Sequence, residues 1–239
     1  MITFNEDCAR KFAFLLMQAY EKRFGIYAKL HHLDGASVQR RFIPQGVTPG
    51  SPRHLEWLTV VNWFDTMSQS SHVHGSCWRY MTPDMLDMLD PTHGALFDRR
   101  ALLMSEQQVR EVIMRLGLAF PNARARNFLK FAESFWGKFE GDPLRVFALE
   151  EDITTLARRC KKERIMLGYG PKLLSLLALY LYDFDAHKKL YPGAYPADRH
   201  IQRQMIRAGV VELSDGSTDV ARGVAETIRT HFPAILQEL

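Results

Sequence analysis

The sequence predicts an all-α protein. Across its 239 residues, apolar side chains recur at steps of three and four, which is the period of a helix that buries one face. Glycine and proline stand at the ends of these segments, where helices start and stop. No alternation typical of a long strand is present. We therefore expect about eight to ten short helices that depend on tertiary packing.

The first 54 residues are predicted to form one helix followed by an irregular arm. The helix is expected over Thr3 to Arg23, because Thr3 and Glu6 have the spacing of a capping box. Its buried face is expected to carry Phe12, Leu15, Leu16 and Ala19. Repeated proline and glycine over 34–52 exclude a regular helix there. The main body is therefore placed at 55–239.

Five segments of the main body between residues 54 and 164 carry helix signals. They are His54–Met67, a start at Thr82-Pro83-Asp84, Ser105–Gly117 with a capping box, Pro121–Gly141 and Phe147–Arg164. The fourth segment has a phenylalanine stripe over 128–139 at helical spacing. Such a stripe favours a core position over a surface for stacking bases.

A tight turn between two helices, over residues 165–184, carries the strongest functional signal. It reads Leu167-Gly168-Tyr169-Gly170-Pro171-Lys172 and continues as an apolar helix. The two glycines allow positive φ and a close approach of the backbone, and the free N–H groups of the following helix start can bind phosphate. Lys172 lies in the first helical turn, where the dipole disfavours a cation and so favours the free amine of a nucleophile.

Asp198 has the complementary position. It follows Pro196-Ala197 at the head of a predicted helix that ends at Gly209. The helix dipole and free backbone N–H groups stabilise a carboxylate there, and an ionised carboxylate can stabilise a sugar cation. A last helix over Ser217–Phe232 completes the C-terminal helices, which span 198–239.

In these motifs the sequence resembles the helix-hairpin-helix (HhH-GPD) DNA glycosylases, the superfamily of endonuclease III and the 8-oxoguanine glycosylases. The family's hairpin Leu-Pro-Gly-Val-Gly-x-Lys matches Met166 to Lys172, and its Val-Asp-x-His matches Ala197 to His200. Its Leu-Ser-Gln-Gln-Thr/Ser segment matches Met67 to Ser71, and its basic linking helix matches Gly117 to Phe147. Together these matches lie within Leu55 to Val211.

The resemblance implies two helical lobes with a central cleft and an enzyme of base-excision repair. Lys172 would attack the anomeric carbon of a damaged nucleotide and displace its base. The expected damaged base is an oxidised purine. Asp198 would stabilise the oxocarbenium-like transition state. The resulting Schiff base would allow strand cleavage, so the enzyme would be a bifunctional glycosylase and AP lyase. Its partner would be duplex DNA from which the damaged nucleotide is flipped out.

The resemblance also implies DNA contacts. Gln69 would lie near the void left by the flipped base, and the basic pair Lys161-Lys162 would contact phosphates. The other expected contacts are Gly168, Tyr169, Gly170, Arg199 and His200. The chain departs from the family pattern in its 26 positions from Lys172 to Asp198, in Tyr169 and in Pro171.

No metal or other cofactor is expected. The iron–sulfur cluster of the endonuclease III branch requires four cysteines near the C-terminus, and here the cysteines are Cys8, Cys77 and Cys160. His72, His74 and Cys77 have a spacing that zinc could use, yet their polar surroundings favour an incidental cluster.

We expect a monomer, and the composition favours a place in the cytoplasm, associated with the nucleoid, or in the nucleus. Three cysteines cannot build a disulfide scaffold, and the longest apolar stretch, Leu173–Tyr182, is too short for a membrane span. The N-terminus lacks the layout of a signal peptide. A net charge of +4 permits a nucleic-acid partner without requiring one.

Two other functions stay open at the level of sequence. Queuosine-salvage N-glycosylases resemble the same fold and act on a free nucleoside or nucleotide, in which case Asp198 is catalytic and Lys172 need not be. The hairpin could also belong to a DNA-binding module without catalysis. Lys172 would then be a point charge for phosphate and Asp198 a plain N-cap.

Overall fold

The structure, a computed structural model, describes residues 1–22, 46–68, 94–115, 118, 120–214 and 223–238. Within these ranges the chain forms nine α-helices, two short 3-10 helices and a two-stranded sheet. The predicted helical class is therefore confirmed for the part of the chain that the structure describes.

The α-helices are numbered in chain order. They are α1 (Glu6–Glu21), α2 (Pro52–Ser68), α3 (Glu106–Arg115), α4 (Pro121–Phe139), α5 (Pro143–Phe147), α6 (Ile153–Glu163), α7 (Pro171–Asp183), α8 (Arg199–Arg207) and α9 (Val224–Gln237). The 3-10 helices Ala95–Phe97 and Arg99–Leu103 precede α3. Strand β1 (Ile2–Phe4) pairs antiparallel with β2 (Val211–Leu213), with Thr3 opposite Glu212.

The larger hydrophobic cluster is centred on α2, α4 and α7. The predicted phenylalanine stripe lies in its interior, since Phe128, Phe131 and Phe135 are fully buried. The ring of Phe131 stacks on Trp63 of α2 with the centroids 5.8 Å apart. Each buried side chain of this size contributes about 1.5–3 kcal/mol, so the stripe fixes α4 against α2.

A second hydrophobic cluster joins the two ends of the chain. Ala9 and Ala13 of α1 pack with Ile228 and Phe232 of α9, and the β1–β2 pairing connects the same ends. Residues 1–22 therefore share a core with the C-terminal helices. This placement differs from the separate N-terminal piece predicted over residues 1–54.

The start of α1 was predicted wrongly, and only Phe12 of the large residues predicted for its buried face packs against the second cluster. Thr3 lies in β1, and the helix is capped by Asn5, whose Oδ1 accepts a hydrogen bond from the N–H of Cys8 at 3.1 Å. The buried positions are Ala9 and Ala13, whereas Leu15 is 63% exposed. Alanines therefore mark most of this face, whereas the larger Leu15 and Leu16 are exposed.

Other helix boundaries follow local capping. The Ser105 capping box is confirmed: its Oγ accepts from the N–H of Gln108, whose Oε1 accepts from the N–H of Ser105. The single helix predicted over Phe147–Arg164 is instead divided into α5 and α6. Asp152 caps α6, because its Oδ1 accepts hydrogen bonds from the N–H groups of Thr154 and Thr155. The last helix begins at Val224 rather than Ser217. The start predicted at Thr82 lies outside the described residues.

Candidate functional site

The turn between α6 and α7 is built on left-handed backbone conformations. Arg164 ends α6 at φ 53°, and Gly168 has φ 96°. At Gly168 glycine is required, because L side chains rarely adopt such a conformation. Gly170 has φ −90°, and a Cβ added there would have no heavy atom within 4 Å. Only the first of the two hairpin glycines thus uses the positive φ that the sequence suggested.

Hydrogen bonds from two helices fix this turn. Trp63 Nε1 of α2 donates to the carbonyl of Leu167 at 2.7 Å. The N–H of Met166 donates to Ser134 Oγ of α4 at 3.0 Å. Both partners are anchored in the larger cluster, so the turn is a rigid platform rather than a loose loop.

Tyr169 is a core residue, which corrects its predicted role in contacting DNA. Its side chain is 5% exposed and its ring stacks on Phe131. The hydroxyl donates to the carbonyl of Thr59 at 2.5 Å and accepts from Asn62 Nδ2 at 3.4 Å. Burial raises the pKa of the Tyr169 hydroxyl well above its usual value. Its N–H donates to the carbonyl of Met166, so neither group of Tyr169 is presented to a partner.

Asp198 caps α8, as the sequence predicts. Its Oδ1 accepts from the N–H groups of His200 at 2.9 Å and Ile201 at 3.0 Å. The buried side chain of Gln202 donates to the carbonyl of Ala197 at 2.8 Å. The backbone that leads into the cap is therefore fixed from within the same helix.

Lys172 and Asp198 meet although 26 positions of chain separate them. Lys172 Nζ lies 3.6 Å from Asp198 Oδ2, and their side chains are 28% and 32% exposed. Lys172 stands in the first turn of α7, in the larger cluster, whereas Asp198 heads α8 of the second cluster. A partly exposed ion pair contributes only about 0–1 kcal/mol. Stability therefore gives little reason for this arrangement.

Most of the remaining predicted site residues are exposed, namely Gly168, Lys161, Lys162, Arg199 and His200, whereas Gly170 is half-buried. Lys161 and Lys162 are exposed in the last turn of α6, and Arg199 and His200 are exposed in the first turn of α8. Lys161 borders the same small cavity as Gly168 and Gly170, with a volume of about 280 Å³. Gln69 lies outside the described residues.

A larger groove next to the hairpin was not predicted. It has a volume of about 700 Å³ and lies between α4 and the segment from Lys161 to Leu167. Lys161 and Leu167 border both this groove and the small cavity. The signal in the sequence was a polar row of α4 that flanks its phenylalanine stripe, about 100° around the helix, with Asn127, Lys130, Ser134 and Lys138 at steps of three and four.

The described residues carry no cluster of metal ligands and no membrane-spanning helix. In that part of the chain no three His, Cys, Asp or Glu side chains are grouped as metal ligands would be. His72, His74 and Cys77, with the spacing considered for zinc, lie outside it. The described helices include none that is both long and apolar enough to cross a bilayer.

In comparisons with known proteins, no family model matches this sequence, and no curated protein is significantly similar to it.

Proposed function

We propose that this chain is a DNA N-glycosylase with AP lyase activity, with Lys172 as the nucleophile and Asp198 as its carboxylate partner. The observation that carries the proposal is the 3.6 Å distance between Lys172 Nζ and Asp198 Oδ2. An amine and a carboxylate from remote helices, both accessible to a ligand, are the pair that an imine-forming glycosylase requires.

The two oxygens of Asp198 support different tasks. Oδ1 is occupied by two backbone N–H groups, which hold the carboxylate in one orientation. Oδ2 faces the amine of Lys172. A carboxylate fixed in this way is positioned to accept a proton from the attacking amine and to stabilise positive charge on the sugar.

The proposed reaction begins with attack of the Lys172 amine on C1′ of a flipped nucleotide. The bond from C1′ to the base breaks, and the base leaves with a proton. The nitrogen now bonded to C1′ gives a proton to Asp198, and the C1′–O4′ bond breaks as O4′ takes up that proton, which leaves a protonated imine. Loss of a proton from C2′ then breaks the C3′–O bond and expels the 3′ phosphate. We propose duplex DNA with a damaged base as the substrate, and an oxidised purine as the first lesion to test.

The surroundings of the pair support a nucleic-acid substrate. The hairpin presents Gly168 to solvent next to the exposed cations Lys161 and Lys162. Arg199 and His200 lie beside Asp198 on the other helix. Cations and backbone N–H groups are the usual partners of DNA phosphates, whose recognition positions the duplex without reading its sequence.

The experiment is a test of base release. Purified protein is incubated with duplexes containing 8-oxoguanine or other damaged bases and, separately, with free modified nucleosides. The proposal expects base release from a duplex, and a loss of at least about a hundredfold in Asp198→Asn. Arg203→Gln, an exposed position on the same helix that is not part of the pair, is the control and should retain activity.

Two outcomes contradict the proposal and identify the alternatives. Release from a free nucleoside, with none from a duplex, would indicate a nucleoside N-glycosylase. DNA binding that weakens steeply with salt, without release from any substrate, would indicate a binding module that lacks catalysis.

A further inference from the structure

The groove between α4 and the Lys161–Leu167 segment is rich in cations. Lys130 and Lys138 of α4 face Lys161 and Arg164 across it. All four are exposed side chains. Two carboxylates, Glu133 and Glu163, also border the groove.

The acidic minority does not cancel this charge. Glu163 Oε1 lies 2.9 Å from Arg159 Nε, which partly compensates its charge, since Arg159 also pairs with Glu150. The four cations therefore still outnumber the two carboxylates of the groove. Lys161 and Arg164 stand at the C-terminal end of α6, where the helix dipole favours cations. The groove therefore keeps an excess of positive charge toward a ligand.

The walls of the groove are fixed relative to each other. Ser134, buried on α4, accepts a hydrogen bond from the N–H of Met166 across the groove floor. Lys130 and Lys138 are separated by about 12 Å along α4, at 1.5 Å per residue. A DNA strand carries one charge per about 3.4 Å of helix axis, so this length accommodates several phosphates.

The groove continues into the hairpin. Lys161 and Leu167 border both the groove and the small cavity against Gly168 and Gly170. A strand whose phosphate contacts the hairpin can therefore extend into the groove without leaving the basic surface.

We propose that this groove binds the sugar–phosphate backbone of the DNA that flanks the damaged nucleotide. The inference rests on the proposed function for the identity of the nucleic acid. It adds Lys130, Lys138 and Arg164 to the DNA surface, none of which belongs to the reacting pair. Glu133, an acid within the groove, limits the affinity of the same surface.

The test compares charge-neutralised variants by DNA titration. Lys130→Gln/Lys138→Gln is measured with a labelled duplex that contains a stable abasic analogue, over a series of KCl concentrations. The control is Lys11→Gln/Lys22→Gln, which removes the same charge from two exposed positions, one on α1 and one directly after its end. Glu133→Gln tests the opposite direction. Thermal melting of each variant verifies that it folds.

The groove variant should lose on the order of tenfold in affinity at moderate salt, and its plot of log K against log [salt] should be shallower by about two. The control should retain the wild-type slope, and Glu133→Gln should bind several-fold more tightly.

An unchanged slope in the groove variant, while the wild type binds duplex and releases base, would overturn this inference alone. A reduced slope in a protein that releases no base would support the groove and contradict the proposed function. A wild type that binds no DNA would overturn both.

Discussion

At the scale of single residues, Asp198 combines a structural and a proposed chemical role on separate oxygens. Oδ1 caps α8, and Oδ2 faces the amine of Lys172. The cap explains why an aspartate at a helix head is by itself a weak functional signal, since capping is a common use of this residue. The nearby amine is what distinguishes Asp198 from other caps, such as Asp152.

Two substitutions at Asp198 should separate these roles. Asp198→Asn keeps an oxygen that can cap the helix, so its free energy of unfolding should stay within about 0.5 kcal/mol of wild type. Asp198→Ala loses the cap and should cost about 1 kcal/mol. Both should lose base release. Denaturant unfolding and the release assay measure the two properties, and an active Asp198→Asn would contradict the chemical role.

Tyr169 should affect stability and not DNA binding. Tyr169→Phe removes a buried hydroxyl that bonds Thr59 and Asn62. Asn62 Nδ2 keeps its bond to the carbonyl of Leu173, so the loss of the hydroxyl's hydrogen bonds should cost about 0.5–1.5 kcal/mol. Urea unfolding measures that loss, and a DNA titration at a temperature where the variant is folded should give the wild-type affinity. Weaker DNA binding by the folded variant would contradict this assignment and indicate that Tyr169 contributes to the DNA surface.

At the scale of elements, the hairpin between α6 and α7 assigns different roles to its glycines. Gly168 needs its positive φ for the turn, whereas Gly170 adopts a conformation open to any residue. Gly170 stands at the N-cap of α7, where free N–H groups of the first turn face outward. We therefore interpret Gly168 as a requirement of folding and Gly170 as a requirement of close approach by a ligand.

Alanine at each glycine tests this interpretation. Gly168→Ala should destabilise the protein by about 1 kcal/mol or more, because its φ is strained for a side chain. Gly170→Ala should leave stability within about 1 kcal/mol, since its methyl group meets nothing. It should nevertheless weaken DNA binding. Thermal unfolding and DNA titration on both variants are the measurements, and the opposite ranking of stabilities would contradict the assignment.

Some of these elements could be predicted from the sequence and others could not. The stripe of α4 was predictable because large aromatic residues at helical spacing have few alternatives to a core. The buried face of α1 was not, because alanines at Ala9 and Ala13 decide it through close packing. The Lys172–Asp198 pairing followed only from a family resemblance, since spacing along a chain does not determine distance between helices. The basic groove was missed because half of its cations come from another segment.

At the scale of the whole molecule, the Lys172–Asp198 pair joins helices from the two hydrophobic clusters. α7 belongs to the larger cluster, and α8 belongs to the cluster that unites both ends of the chain. Relative movement of the clusters would change the distance between Lys172 and Asp198. Packing far from the pair, such as that of α1 on α9, is thus expected to influence activity.

Acid should destabilise the folded protein through His54. Burial lowers the pKa of His54 from 6.5 to about 4, while its Nδ1 accepts from the N–H of Gly50. The unfolded chain therefore binds a proton at higher pH than the folded chain, so the free energy of unfolding should fall as the pH drops from about 6.5 to about 4. His54→Asn keeps an acceptor but cannot titrate. Calorimetry across this range should give a flatter profile for the variant, and parallel profiles would contradict the assignment.

The measurement that tests the central claim most directly is borohydride trapping on a duplex with an abasic site, followed by mass spectrometry of the adduct. The account predicts a covalent adduct on Lys172 that is lost in Lys172→Gln and retained in Lys11→Gln, an exposed lysine of α1 away from the hairpin. The absence of any adduct, or an adduct that persists in Lys172→Gln, would contradict the assignment of Lys172 as the nucleophile.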